Sequence, residues 1–151
     1  MKLKMTNQDF EYINYMGFEI LMHIPTKTFN YTKFCKQLKN SNDHNIFRKL
    51  VGNNIRLWEI IMSYEKNKID HLRSKPRSIQ TLIDAGIFYK FNHGIKPTYF
   101  GTYGPKYLFL FLVLNLNINE YIKFMNYIIS SYDQNEISST GIELPDFNYH
   151  N

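Results

Sequence analysis

The chain has 151 residues, 44% of them hydrophobic and 17% aromatic, enough for one packed domain and too apolar for a disordered segment. One cysteine, Cys35, excludes an intrachain disulfide and any cysteine-based zinc finger or RING, and the five histidines show no metal-ligand spacing. The net charge of +5 is lopsided: residues 1–106 carry 17 Lys/Arg against 8 Asp/Glu, while residues 107–151 carry Lys123 against five acids. A basic body followed by an acidic end points to an anionic partner, nucleic acid before membrane. The richness in Ile, Asn, Lys and Tyr matches A/T-heavy codons, so the placement of a lysine or asparagine carries more weight than its presence.

In chain order, residues 1–9 lack the apolar core of a signal peptide. Residues 18–24 and 29–31 read as two strands of a hairpin turning at Pro25-Thr26-Lys27-Thr28. Asn30 or Thr32 can cap a helix to about residue 40. On that helix Tyr31, Phe34, Cys35 and Leu38 form a buried stripe, and Lys33, Lys36 and Lys39 fall opposite. A second short helix is expected over residues 44–51, capped by Asn42 or Asp43, stopped by Gly52 and carrying Arg48 and Lys49. A third, residues 55–66, is apolar over most of its circumference and includes Trp58.

Residues 65–77 form a polar connector rich in Lys and Arg. Ser78 can cap a short helix ended by Gly86. Residues 87–91 and 98–103 read as strands around a tip at 92–97, with Lys90, His93 and Lys96 making a cationic hairpin that suits a wing. Gly104-Pro105 opens an apolar helix to residue 116. Its run of ten apolar-rich residues, 107–116, is half the ~20 that a membrane span requires. In the last helix Ile118, Tyr121, Ile122, Met125, Ile128, Ile129 and Tyr132 are expected to face the core. Residues 133–151 read as an acidic mobile tail beyond a domain of residues 1–132.

The segment Phe29-Asn30-Tyr31-Thr32-Lys33-Phe34-Cys35 resembles the opening signature of KilA-N domains, in which a strand runs into Asn-x-Thr-Lys-Leu-Cys. Gly101-Thr102-Tyr103, followed by Pro105 and Leu108, is similar to the family's Gly-Thr-Tyr-x-x-Pro-x-Leu segment. Between them, Phe47-Arg48 resembles the family's Phe-x-x-Trp helix, with Leu50 in the tryptophan's place and Gly104 where a histidine is usual. The resemblance covers residues 18–132. It implies an α+β fold related to fungal APSES domains, with helix-turn-helix-like helices, a small antiparallel sheet and a β-hairpin wing. It also implies sequence-tolerant nucleic-acid binding, and a place in the host cytoplasm or the viral factories of a poxvirus-like virus. The RING finger that poxvirus p28-like proteins add is not expected here, because the sequence offers a single cysteine.

Phosphate contacts require long cations on a rigid frame. Lys33, Lys36, Lys39, Arg48, Lys49, Lys90 and Lys96 supply seven; six engaged would give a log K against log salt slope of roughly −5. Asn45, Arg48, Asn53 and Asn54 are the side chains suited to base edges. The expected partner is DNA, with single-stranded DNA or RNA as variants, and no membrane and no cofactor are expected. An enzyme is not expected: no nucleophile, base and orienting group share a recognisable spacing, and Gly101-x-x-Gly104 lacks the Lys-Ser/Thr of a nucleotide loop. The alternative is a host-interaction or adaptor protein that retains the fold without binding nucleic acid.

Overall fold

A computed structural model describes residues 5–68 and 72–133, apart from the side chains of Tyr132 and Asp133. The chain is α+β. Strands β1 (Phe10–Tyr15), β2 (Phe18–His23) and β3 (Thr28–Asn30) lead into helix α1 (Tyr31–Lys39). Helices α2 (Ile46–Asn53) and α3 (Ile55–Tyr64) follow, and then the short α4 (Ile79–Asp84). Strands β4 (Tyr89–Phe91) and β5 (Gly101–Gly104) precede α5 (Phe109–Leu116) and α6 (Ile118–Asp133). The sheet is antiparallel throughout, in the order β1-β2-β3-β5-β4.

Strand β1 is an addition to the expected elements. It pairs with β2 from Phe10↔His23 to Tyr15↔Phe18 through a two-residue turn, Met16-Gly17, with both residues at positive φ (54° and 86°). That geometry matches the twist of the strands it joins, and Gly17 N is held by Asn14 Oδ1 at 3.2 Å. The second hairpin forms with shorter strands than expected. Its return strand β5 also pairs with β3, at Phe29↔Gly104 and Asn30↔Tyr103, so the hairpin continues the sheet.

Alternation along β2 sends Ile20 and Leu21 to opposite faces of the sheet. Ile20 joins the main core with Phe29, Phe34, Cys35, Leu57, Trp58 and Ile61, between sheet and helices. Leu21 joins a smaller cluster with Phe10, Phe91 and Tyr103. The stripe expected of α1 is buried in full, and Trp58 donates its indole N–H to the Val51 carbonyl at 2.7 Å. Burial pushes the Cys35 thiol well above its ordinary range, so it is an inert core group.

Helix boundaries follow their caps. Asn30 Oδ1 accepts from Lys33 N, Asn54 Oδ1 from Arg56 N and Leu57 N, and Ser78 Oγ from Thr81 N. Helix α2 starts two residues later than expected and runs through Gly52; Asp43 Oδ1 accepts from Asn45 N at 2.8 Å, just ahead of the helix. The last helix differs most. Its buried side is Phe124, Ile128 and Ser131, and Tyr121 packs against the main core, whereas Ile118, Ile122 and Ile129 are exposed. Apolar residues spread over a broad arc of α6, and the core uses part of it. The tail expected beyond it, residues 134–151, lies outside the described residues. No single described helix is long and apolar enough to cross a membrane.

Candidate nucleic-acid interface

The two segments that carry the family resemblance meet in space. Asn30 is buried at the junction of β3 and α1, where its Oδ1 caps the helix and its Nδ2 donates to the Phe100 carbonyl at 3.1 Å. Two residues on, Thr32 Oγ1 accepts from Thr102 N at 2.9 Å. Tyr31 is fully buried and donates its hydroxyl to the Pro105 carbonyl. Gly101 lies against the Asn30 amide so closely that a Cβ there would come within 2.6 Å of Nδ2. The start of α1 and the β5 strand are therefore one hydrogen-bonded unit.

Gly104 has a physical reason to be glycine. A Cβ at this position would lie 2.7 Å from Phe88 Cδ2, and Phe88 is a buried core ring. Leu50 is a partly buried residue packed on the main core.

Beside this unit, a cleft of about 180 Å³ separates the beginning of α2 from the β4–β5 edge. Buried Phe47 and Ile79 line its base, and Thr32, Gly101 and Thr102 line one wall. His44, Asn45 and Arg48 reach it from α2 and the turn before it, and Lys90 and Asn92 from β4 and its loop. The described lining thus holds two cations, two amides and two hydroxyls, and no carboxylate. Arg48 and Lys90 are exposed, and neither is ion-paired with a described residue. Such a lining can donate hydrogen bonds to an anion from several directions.

The seven cations expected from the sequence divide into four groups. Arg48 and Lys90 share the cleft, and Lys36 Nζ donates to His44 Nδ1 at 3.3 Å, placing it at the rim. Lys49 forms an ion pair with Asp43, Nζ to Oδ2 at 3.0 Å, and does not line the cleft. The Asn45 N–H, and then Lys49, hold the Asp43 carboxyl below its usual range. Lys33 and Lys39 lie on α1 outside the cleft. Lys96 lies in the long β4–β5 loop, where its backbone N–H donates to Asn7 Oδ1 at 2.8 Å, next to the N-terminal segment. Asn45 lines the cleft as well, whereas Asn54 is occupied as a helix cap.

Thr32, His44, Asn92 and Thr102 were not among the sequence candidates. Thr32 and Thr102 belong to the two family-like segments, and that was the available signal. Among the described residues, no three His, Cys, Asp or Glu side chains are grouped to hold a metal ion. No protein-family model matches the chain, and neither a curated protein nor a solved structure does.

Proposed function

We propose that this protein binds nucleic acid, DNA first, through the phosphate backbone, as a divergent relative of the KilA-N domains of large DNA viruses. The observation that carries the reading is the cleft, with no carboxylate among its described lining residues, into which Arg48 and Lys90 reach from separate elements. A surface that exists only to keep a basic protein soluble has no need to bring two cations, unpaired among the described residues, together with amides and hydroxyls. A phosphate is a multivalent acceptor and rewards that arrangement. Arg48, Lys90 and Lys36 then set affinity, and the remaining lysines add long-range attraction. Contacts of this type fix position and carry no base identity, so binding is tolerant of sequence. The activity is binding alone, and the setting is the host cytoplasm, including viral factories.

The test is fluorescence anisotropy at ~50 mM salt with duplex DNA, single-stranded DNA and RNA of matched length. Saturable binding of duplex DNA, similar for unrelated sequences and weakening steeply with salt, supports the reading. Absence of binding to all three would end it.

A further inference from the structure

The cleft between α2 and the β4–β5 edge has room for more than a phosphate. A cavity of about 150 Å³ holds one benzene ring, and this one, at about 180 Å³, accommodates a ring that carries exocyclic groups. Its floor is apolar, made by Phe47 and Ile79, which are 3% and 4% exposed. Phe47 is fixed there by Tyr31 and Phe88, whose ring centres lie 5.7 and 5.6 Å from its own. A phosphate gains nothing from such a floor, whereas a flat ring laid on it leaves water.

The polar lining also exceeds what a phosphate uses. A phosphate diester only accepts hydrogen bonds, so donors alone would serve it. This lining offers acceptors as well. The side-chain amide of Asn45 has no partner among the described residues, which leaves both its oxygen and its N–H groups to the cleft. Asn92 Oδ1 accepts from His93 Nδ1 at 2.9 Å, so Asn92 brings its N–H donors. Thr102 is engaged through its backbone N–H, to Thr32 Oγ1, and its hydroxyl has no partner among the described residues. Donors and acceptors side by side are the complement of the edge by which a nucleobase pairs.

We propose that the cleft takes one unpaired nucleobase, an inference that rests on the phosphate binding proposed above. The ring lies on the Phe47–Ile79 floor with its pairing edge toward Asn45 and Asn92, and Arg48 and Lys90 hold the phosphates on either side of that nucleotide. Taking a base out of a duplex costs free energy, and a base that is already unpaired spares the cost. The ligand favoured is therefore nucleic acid with a base out of its stack, at a bulge or in a single strand. An amide serves different edges by turning over, so the site recognises the unpaired state and remains tolerant of sequence.

Fluorescence anisotropy of the full chain at ~50 mM salt tests this with three DNA duplexes. One is fully paired, one carries a single added unpaired thymidine, and one carries an abasic residue in place of that thymidine. The last two have the same phosphates and differ by the base alone. The thymidine duplex should bind at least about fivefold more tightly than the abasic one. Asn45→Ala combined with Asn92→Ala should bring that ratio below about twofold; both side chains are exposed, and an unchanged circular dichroism spectrum checks that the fold is kept. Equal affinity for the thymidine and abasic duplexes, with the paired duplex still bound, overturns the inference and leaves phosphate binding standing. A thymidine preference that survives in the double variant also overturns it, because the base is then read elsewhere. Absence of binding to all three duplexes would end both.

Discussion

The side-chain amide of Asn30 joins two segments 70 residues apart: its Oδ1 caps α1 at Lys33 N, and its Nδ2 donates to the Phe100 carbonyl. Both halves of the amide are used in a buried place, and this junction sets β5 against the start of α1. Replacing Asn30 with Ala should therefore cost about 2–3 kcal/mol, the sum of a lost cap and a stranded carbonyl. Asn30→Asp keeps the cap acceptor and loses the donor, turning a carboxylate oxygen toward Phe100 O, and should be no better tolerated. Urea unfolding midpoints measure both. A loss under ~0.5 kcal/mol for Asn30→Ala would show that the junction is held elsewhere.

Gly104 packs beneath Phe88 with no room for a side chain. Gly104→Ala should destabilise by about 1–3 kcal/mol through overpacking. Gly104→His, which adds a larger side chain, should destabilise more. Pairing Gly104→Ala with Phe88→Leu should recover part of the loss, and thermal denaturation of the single and double variants reports the coupling.

Asp43 is paired with Lys49, one of the seven expected cations, at 3.0 Å. Asp43→Asn removes a negative charge and releases that lysine, while the side-chain oxygen can still accept from Asn45 N. Affinity for duplex DNA should rise about two- to fivefold at ~50 mM salt, and the gain should shrink as salt screens it. Weaker binding would mean that Asp43 supports the geometry of the cleft more than it opposes the ligand.

His23 is buried among Phe10, Phe91 and Tyr103, with Nδ1 2.7 Å from Thr26 Oγ1 and no partner at Nε2 among the described residues. Burial lowers its pKa below the ordinary 6.5, against a smaller opposite pull from Asp9. The unfolded chain then takes up the proton first. The stability this group contributes is complete above about pH 6.5 and is lost as pH falls from there through the lowered folded value. Urea midpoints at about pH 7.5 and pH 5.5 should differ in wild type, and His23→Phe should flatten that difference. Equal pH dependence in both proteins would place the titrating group elsewhere.

Much of this architecture was legible from local signals. The α1 stripe, the Asn30 and Ser78 caps and both hairpins follow from periodicity and turn chemistry. Strand β1 was not, because Met16-Gly17 lacks the Asn-Gly or Asp-Gly signature and Tyr12 and Glu11 leave much of the strand facing water. Nor could periodicity decide which way α6 faces, since its apolar residues span a broad arc and tertiary packing buries only part of it. The cleft was beyond local reading for a similar reason. Arg48 and Lys90 are brought together by the β3–β5 pairing, a long-range contact, and the Lys49–Asp43 pair depends on how the chain enters α2.

The most direct test compares two double charge reversals with the same net charge. Arg48→Glu with Lys90→Glu alters the cleft, and Lys27→Glu with Lys123→Glu alters cations that do not line it. The salt dependence of duplex DNA affinity should lose about two units of log–log slope in the cleft variant, each lost phosphate contact taking about 0.9. Its affinity at ~50 mM salt should fall at least tenfold, while the control should lose no more than about threefold. Equal losses in the two variants would show that affinity follows total charge and that the cleft does not hold the phosphate.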